Sequence, residues 1–369
     1  MTKTFIAPSK YIQGAGEFAK LGEYAATFGD KALVLISEGG KRRSGSVLEE
    51  SFKAANVELI FDIFNGECTT KEIDRLSEVI KENDAKVVIG VGGGKIFDTA
   101  KAAAYYLELP VMICPTIAGT DAPCSALSVV YTEDGAVESY LFLKENPDMV
   151  IMDTEVIAKS PVRMTVSGMG DALATYIEAR ASNQHGGDNF ANGKPTLAGM
   201  AIAKLCYDTL IENGYKAKIA LEAGALTEAV EAVIEANTLL SGIGFESGGV
   251  AAAHAVHNGF SELEECHKML HGEKVAVGVI TQLVLENAPV EELEEVLKFC
   301  VSVGLPVTLK EIGITDPSEE KILRVAEVAC APTDTAVNMP FEINAQMVKN
   351  AIFAADALGK LAHKKYQFK

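Results

Sequence analysis

This chain is short of positive charge, of paired cysteines and of long apolar runs. Lys and Arg number 33 against 51 Asp and Glu, a formal net charge of −18 over 369 residues. Nucleic acids and anionic membranes reward basic patches, so the deficit argues against both as partners. Cys68, Cys114, Cys124, Cys206, Cys266, Cys300 and Cys330 form an odd, scattered set with no CxxC pair. That excludes an even disulfide framework and reads as reduced cytosolic thiols. No uninterrupted apolar run approaches the ~20 residues needed to span a bilayer. The first ten residues, Met1 to Lys10, carry no apolar signal core. A cytoplasmic protein is expected. There is no low-complexity segment and no internal repeat.

A hydrophobic content of 48% and a charged content of 23% describe an ordinary globular protein. The length allows two cores, because single cores rarely grow past roughly 250–300 residues. The first 150 or so residues alternate short apolar runs with helical patterns. Lys31–Ile36, Val57–Phe61, Lys86–Val91, Pro110–Cys114 and Met149–Met152 read as strands, and Val47–Ala55, Thr70–Asn83 and Asp98–Leu107 as helices, with Thr70 as a cap. Such alternation implies βαβ units and a parallel sheet. A hairpin interrupts it: Ala126–Tyr131 and Val137–Phe142, with Asp134-Gly135 at the tip. Ser160-Pro161 then looks like an N-cap followed by proline at the first helical position. From there the pattern is helical: Met164–Ser182, Ala198–Glu212, Lys216–Leu240, Val250–Ser261, Glu273–Asn287 and Glu319–Ala331. The expected architecture is an α/β domain over 1–160 with a parallel sheet and a β-hairpin, followed by an all-α domain over 161–369.

Two segments carry chemistry. Gly90-Val-Gly-Gly-Gly-Lys95 follows a strand and opens a helix, where backbone N–H groups hold phosphate and glycine allows close approach. It is neither a P-loop nor a clean GxGxxG, and the plain alternative is a tight turn that serves strand–helix packing. Ser37-Glu38 at the end of the first apolar strand supplies an acid suited to a ribose hydroxyl. The second segment holds four of the six histidines within eighteen residues: His254, His257, His267 and His271. On helices, 254 and 257 are one turn apart, and so are 267 and 271, so each pair can face one way. Imidazole is the commonest zinc ligand, and a catalytic zinc takes about three protein ligands. Spacing alone does not choose among the four. Cys266 is a further ligand candidate, although a lone Cys is more often a small buried hydrophobe. Asp171 is an acid set among small and apolar residues, and it would be costly to bury unpaired.

Taken together, the stretches Gly92–Lys101, Pro115–Tyr131, Gly170–Ala174, Gly244–Gly259 and His271–Val275 span most of the chain in order. They resemble the iron-containing, polyol-type alcohol dehydrogenase family and its glycerol-oxidising members in particular. The resemblance implies a dinucleotide-binding α/β domain, an all-helical domain and an active site in the cleft between them, the architecture shared with dehydroquinate synthase. It assigns a metal, zinc more than iron and one per subunit, to Asp171, His254 and His271, and leaves His257 and His267 outside that set. It assigns NAD contacts to Gly93, Gly94, Lys95, Thr116, Gly119, Ser125, Leu127 and Tyr131, and a substrate hydroxyl to Asp121. It further implies NAD-linked, reversible oxidation of glycerol to dihydroxyacetone and a homo-oligomer, such as an octamer. Two departures stand out. Ser37 occupies a place where the family often has Asp, with Glu38 next to it and the basic run Lys41-Arg-Arg43 close by, so the choice between NAD and NADP stays open, NAD being favoured. Gly119 stands where relatives often carry Ser. Rival readings are a dehydrogenase for another vicinal diol or for glycerol 1-phosphate, a non-redox lyase resembling 3-dehydroquinate synthase, and a catalytically silent nucleotide-binding protein.

Overall fold

The computed structural model describes residues 1–366. The chain divides into two compact units. One is built from 7–118 and 122–160, the other, among the described residues, from 1–6, 119–121 and 161–366.

The first unit is an α/β layer structure. Its sheet contains β1 (Lys10–Gly14), β2 (Lys31–Ile36), β3 (Glu58–Ile63), β4 (Val87–Gly92), β5 (Val111–Pro115) and β8 (Met149–Asp153). The order is β1-β8-β5-β4-β2-β3, with every pairing parallel. β6 (Leu127–Tyr131) and β7 (Val137–Phe142) form the separate antiparallel hairpin. The central strands are apolar on both faces because helices cover both, and β4 is buried at every residue. Phe18, Leu48, Phe52, Val34, Ile89 and Ile151 belong to one core of this unit.

Here the elements depart from expectation in informative places. The edge strand β1 has no apolar run and is only half-buried, so alternation did not reveal it. The helix after β2 starts at Glu38, well before Val47, because the Ser37 hydroxyl accepts from the Gly40 N–H at 3.0 Å and caps it through two glycines. The cap of the next helix, Thr70–Glu82, is Thr69 and not Thr70; its hydroxyl accepts from the Glu72 N–H at 3.1 Å.

The second unit is helical. A helix runs from Val162 to His185, and the Ser160 hydroxyl makes no capping bond to it. The stretch expected to break at Asn213-Gly214 continues as one helix, Leu197–Glu222. Gly214 is there for packing: a Cβ would lie 2.6 Å from the Phe299 ring. The helix ends instead before Gly224, whose φ of 69° suits glycine. Glu228–Glu235 passes through a π-helical turn, Ala236–Leu240, into Ser241–Gly248. Ala252–Ser261, His271–Leu285, Val290–Val303, Glu319–Ala329 and Ala345–Lys365 complete the unit. Its N-terminal strap is held by Lys194, whose N–H donates to Thr2 O at 2.9 Å and whose carbonyl accepts from Thr4 N at 3.2 Å. Among the described residues, no helix is long and apolar enough to cross a membrane.

Candidate active site

In the helical unit three elements meet because two glycines let them. A Cβ on Gly170 would sit 2.2 Å from the Gly272 carbonyl oxygen, and one on Gly272 would sit 1.8 Å from the Ser167 carbonyl oxygen. The helices Val162–His185 and His271–Leu285 therefore touch backbone to backbone. That contact brings His271, the first residue of its helix, against Asp171 on the other. His271 Nε2 lies 2.9 Å from Asp171 Oδ1, and His254 Nε2 lies 3.3 Å from the same oxygen. Arg163 ties the two helices again through a paired bond to Glu273 at 2.6 and 2.8 Å, and Glu273 also accepts from the Leu270 N–H.

His254 is held by Glu178, two turns after Asp171 on the same helix and fully buried. One Glu178 oxygen accepts from the backbone N–H of Ala251 and His254, at 3.0 and 2.9 Å, at the start of the helix Ala252–Ser261. The other lies 2.5 Å from His254 Nδ1. A carboxylate on Nδ1 fixes the ring orientation and turns Nε2 toward Asp171. Asp121 lies beside the cluster: its N–H donates to Asp171 Oδ2 at 3.2 Å, and its own Oδ2 accepts from Ser241 Oγ at 2.9 Å. Ser241 is bonded in turn to Thr175 Oγ1 at 2.8 Å.

The electrostatics follow from burial and neighbours. Burial alone would raise the Asp171 carboxyl, but His271 and His254 outweigh it and hold Asp171 well below the usual range. Burial alone would lower His254; the Glu178 and Asp171 carboxylates reverse that and raise it well above its ordinary value. Asp121 goes the other way. Burial, followed by the Asp171 charge, pushes its carboxyl well above the ordinary value. The same negative charge that raises His254 favours a cation at this cluster.

The fit to a metal rests on donors. Asp171, His254 and His271 each offer one ligand atom, and the three atoms lie within 4.8 Å of one another. Two ring nitrogens converge on one carboxylate oxygen, a mixed N/O set that suits a divalent transition metal with open positions. The other histidines stand apart from this set. The His257 ring is 4.3 Å from the His271 ring by centroids, but its Nδ1 bonds the Asn258 side chain at 3.1 Å. Burial, with His271 and Lys274 nearby, pushes His257 well below its ordinary value. His267 is exposed, with Nε2 on the Ser261 carbonyl at 3.1 Å. It lies outside the helix that His271 begins, so the assumed i, i+4 pairing of these two does not exist. Burial raises the Cys266 thiol to about 11, and Cys266 is not in the donor group. Glu178 and Ser241 were missed from sequence. The seven-residue step from Asp171 placed Glu178 on the same helix face, but Ser241 left no signal.

In the α/β unit the glycine loop falls at a reversal of strand order. From β2 the chain crosses outward to β3, and from β4 it crosses the opposite way to β5. Right-handed crossovers in opposite directions put the two helices on opposite faces, which opens a crevice at the strand ends. Ile36 pairs with Val91 and Gly92 with Pro115, so Ser37-Glu38, Gly93-Gly94-Lys95 and Thr116 all emerge at that edge. The Thr116 N–H donates to Gly92 O at 2.9 Å. A Cβ on Gly94 would meet no protein atom within 4 Å, so packing does not demand glycine there; open room above the start of the helix Gly94–Leu107 does suit a phosphate. Lys95 Nζ bonds Glu67 Oε2 at 2.5 Å and stands 5.6 Å from the Tyr131 ring. Glu38 is exposed, with Arg42 3.8 Å away. Ser125 is buried and Leu127 half-buried at the start of the hairpin. Of the expected coenzyme residues only Gly119 belongs to the helical unit, in the short segment that carries Asp121.

A family model described as iron-containing alcohol dehydrogenase matches residues 8–154. The chain is 49% identical over 360 residues to a glycerol dehydrogenase of Citrobacter freundii, covering 98% of this chain and 99% of that one. The chain belongs to the iron-containing alcohol dehydrogenase family. The chain is also 48% identical to a glycolaldehyde reductase of Halobacterium salinarum, over 98% of this chain and 99% of that one. The crystal structure of glycerol dehydrogenase from Schizosaccharomyces pombe superposes with a TM-score of 0.95 at 38% identity, over 99% of this chain and 93% of that one.

Proposed function

We propose that this member of the family is an NAD-dependent glycerol dehydrogenase that converts glycerol and NAD⁺ to dihydroxyacetone, NADH and a proton, using one zinc ion per subunit. The observation that carries the reading is the donor set of buried Asp171 with half-buried His254 and His271, and Asp121 bonded directly to it. Full-length relatives that act on small polyols or hydroxyaldehydes support the same reading.

A divalent cation at this set would supply Lewis acidity, the effect that lowers the pKa of bound water to about 7. NAD⁺ would accept the hydride from C2, and the loop Gly93-Gly94-Lys95 would anchor its pyrophosphate at the helix start. The protein's own share is positioning and exclusion. Glu178 fixes the His254 ring so that Nε2 faces Asp171. Ser241 aims the Asp121 carboxyl. With its pKa raised, Asp121 is suited to exchange a hydrogen bond, as donor or acceptor, with a second substrate hydroxyl. Such a contact favours a vicinal diol over a simple alcohol, because a substrate without that hydroxyl forfeits this hydrogen bond.

The 48% identity to a glycolaldehyde reductase favours one second reading: the same chemistry run toward reduction on a two-carbon hydroxyaldehyde. Initial rates with glycerol, propane-1,2-diol and ethylene glycol, and in reverse with dihydroxyacetone and glycolaldehyde, each with NAD(H) and NADP(H), decide between them. The highest kcat/KM for glycerol and dihydroxyacetone supports the proposal. A higher value for glycolaldehyde replaces it with the second reading. A homo-oligomer of eight subunits belongs to the same proposal, and light scattering on purified protein checks the mass.

A further inference from the structure

One buried charge has no part in the chemistry above. Lys101 sits two turns along the helix Gly94–Leu107 from the glycine loop, and its side chain is fully buried. Its Nζ donates to the carbonyl of Ala122 at 3.0 Å, of Ser125 at 3.3 Å and of Leu127 at 2.5 Å. Ser125 Oγ and Asp98 Oδ1 each lie 3.4 Å away. An ammonium has three protons. Here they are shared among oxygens that come, Asp98 excepted, from the single segment 122–127. Asp98, one turn earlier on the same helix, is itself buried and accepts from the Val129 N–H in β6. Burial raises the Asp98 carboxyl to about 6, while Lys101 and the Val129 N–H pull it back.

A methionine would fill the same space without taking a charge out of water. What the ammonium adds is direction, since it fixes three carbonyl oxygens at set distances from one point on the helix. That helix begins at the glycine loop, and the segment it holds leads into the hairpin. The two halves of the expected coenzyme site, Gly93–Lys95 and Ser125, Leu127 and Tyr131, are thereby tied to one element.

We propose that Lys101 is a positioning residue for the coenzyme, holding the segment 122–127 in register with the glycine loop so that Ser125 and Leu127 stand at a fixed reach from Gly93–Lys95. The inference rests on the reading that this unit binds NAD. The test uses zinc-loaded enzyme and compares wild type with Lys101→Met and Lys101→Gln. The Gln variant keeps a donor for the carbonyls and guards against a Met variant that fails to fold. NADH affinity is measured by titration, and KM for NAD⁺ and for glycerol are measured separately. Lys101→Met is expected to weaken NADH and raise KM for NAD⁺ by at least about tenfold, and Lys101→Gln by about threefold, with KM for glycerol and bound zinc unchanged. A purely structural lysine would lower thermal stability without this split. Folded Lys101→Gln or Lys101→Met protein that binds NADH as wild type does overturns the inference alone. Wild-type enzyme that binds no NADH overturns the coenzyme reading and this inference with it.

Discussion

Glu178 decides which nitrogen of His254 faces Asp171. Its carboxylate accepts hydrogen bonds from Nδ1 and from two backbone N–H groups at once, so the imidazole is oriented before any cation arrives. Replacing it with Gln keeps the shape but removes the charge that favours this tautomer. Glu178→Gln is expected to weaken zinc binding by about 10–100-fold, read by competition with a chelator; unchanged affinity would remove Glu178 from the site. Asp121 acts on the substrate. Asp121→Ala is expected to lower kcat/KM for glycerol by about 100-fold, while the much slower oxidation of propan-1-ol changes little, because only the diol loses its partner. If both substrates suffer equally, Asp121 supports the site without reading the substrate. At this scale the sequence was legible through ordered motifs more than through spacing. The four histidines were interchangeable as a pattern, and the structure separates them by partners: Asp171 for His254 and His271, Asn258 for His257, a carbonyl for His267. Ser241 was invisible because a serine after a π-helical turn has no pattern of its own.

Elements meet in this protein where side chains are missing. Gly170 and Gly272 let two helices approach to backbone contact, and that contact places His271 against Asp171. Gly170→Ala must push the helices apart. It is expected to cost at least about 1–3 kcal/mol in stability and to lower zinc affinity together with it, checked by denaturant unfolding and metal titration. Stable protein with normal zinc affinity would show that the approach is not needed. In the α/β unit the helix Thr70–Glu82 is pinned by Glu72, which accepts from Asn65 and Arg75. Burial alone would raise Glu72, but these donors outweigh it and hold the carboxyl below its ordinary 4.5. A carboxyl lowered on folding stabilises above its unfolded pKa and loses that contribution as pH falls through the folded value. Glu72→Gln is therefore expected to cost about 1 kcal/mol at pH 7, a modest figure because Arg75 is part-exposed, and the gap should close as pH falls below about 4.5. A constant gap across that range would contradict the assignment. Strands with continuous apolar runs were readable, whereas β1 was not, since an edge strand with one wet face carries a weaker pattern. Gly214 misled in the opposite sense: it reads as a break but serves packing against Phe299.

For the whole molecule, a bound metal is also a stability term. A ligand that binds only the folded chain adds RT ln(1 + [L]/Kd), about 4.1 kcal/mol at a thousandfold excess over Kd. The helical unit, which supplies all three donors, should gain most of it, and thermal midpoints measured with zinc and with EDTA check the direction. Fold class and family were accessible from sequence because β/α alternation and ordered motifs run the length of the chain. Membership of Gly119–Asp121 in the helical unit was not, because three residues carry no periodicity; in the structure they pack with that unit, and Asp121 bonds Asp171 and Ser241 there. The central claim joins metal and reaction, and one experiment tests it most directly. Protein stripped with EDTA and dialysed is assayed for NADH formation from glycerol and NAD⁺ while zinc is added back stepwise. The account predicts negligible NADH from stripped protein and activity that rises in proportion to zinc and levels off at about one ion per subunit, with no recovery in an Asp171→Ala variant. Full NAD-linked glycerol oxidation by the metal-free protein would contradict it.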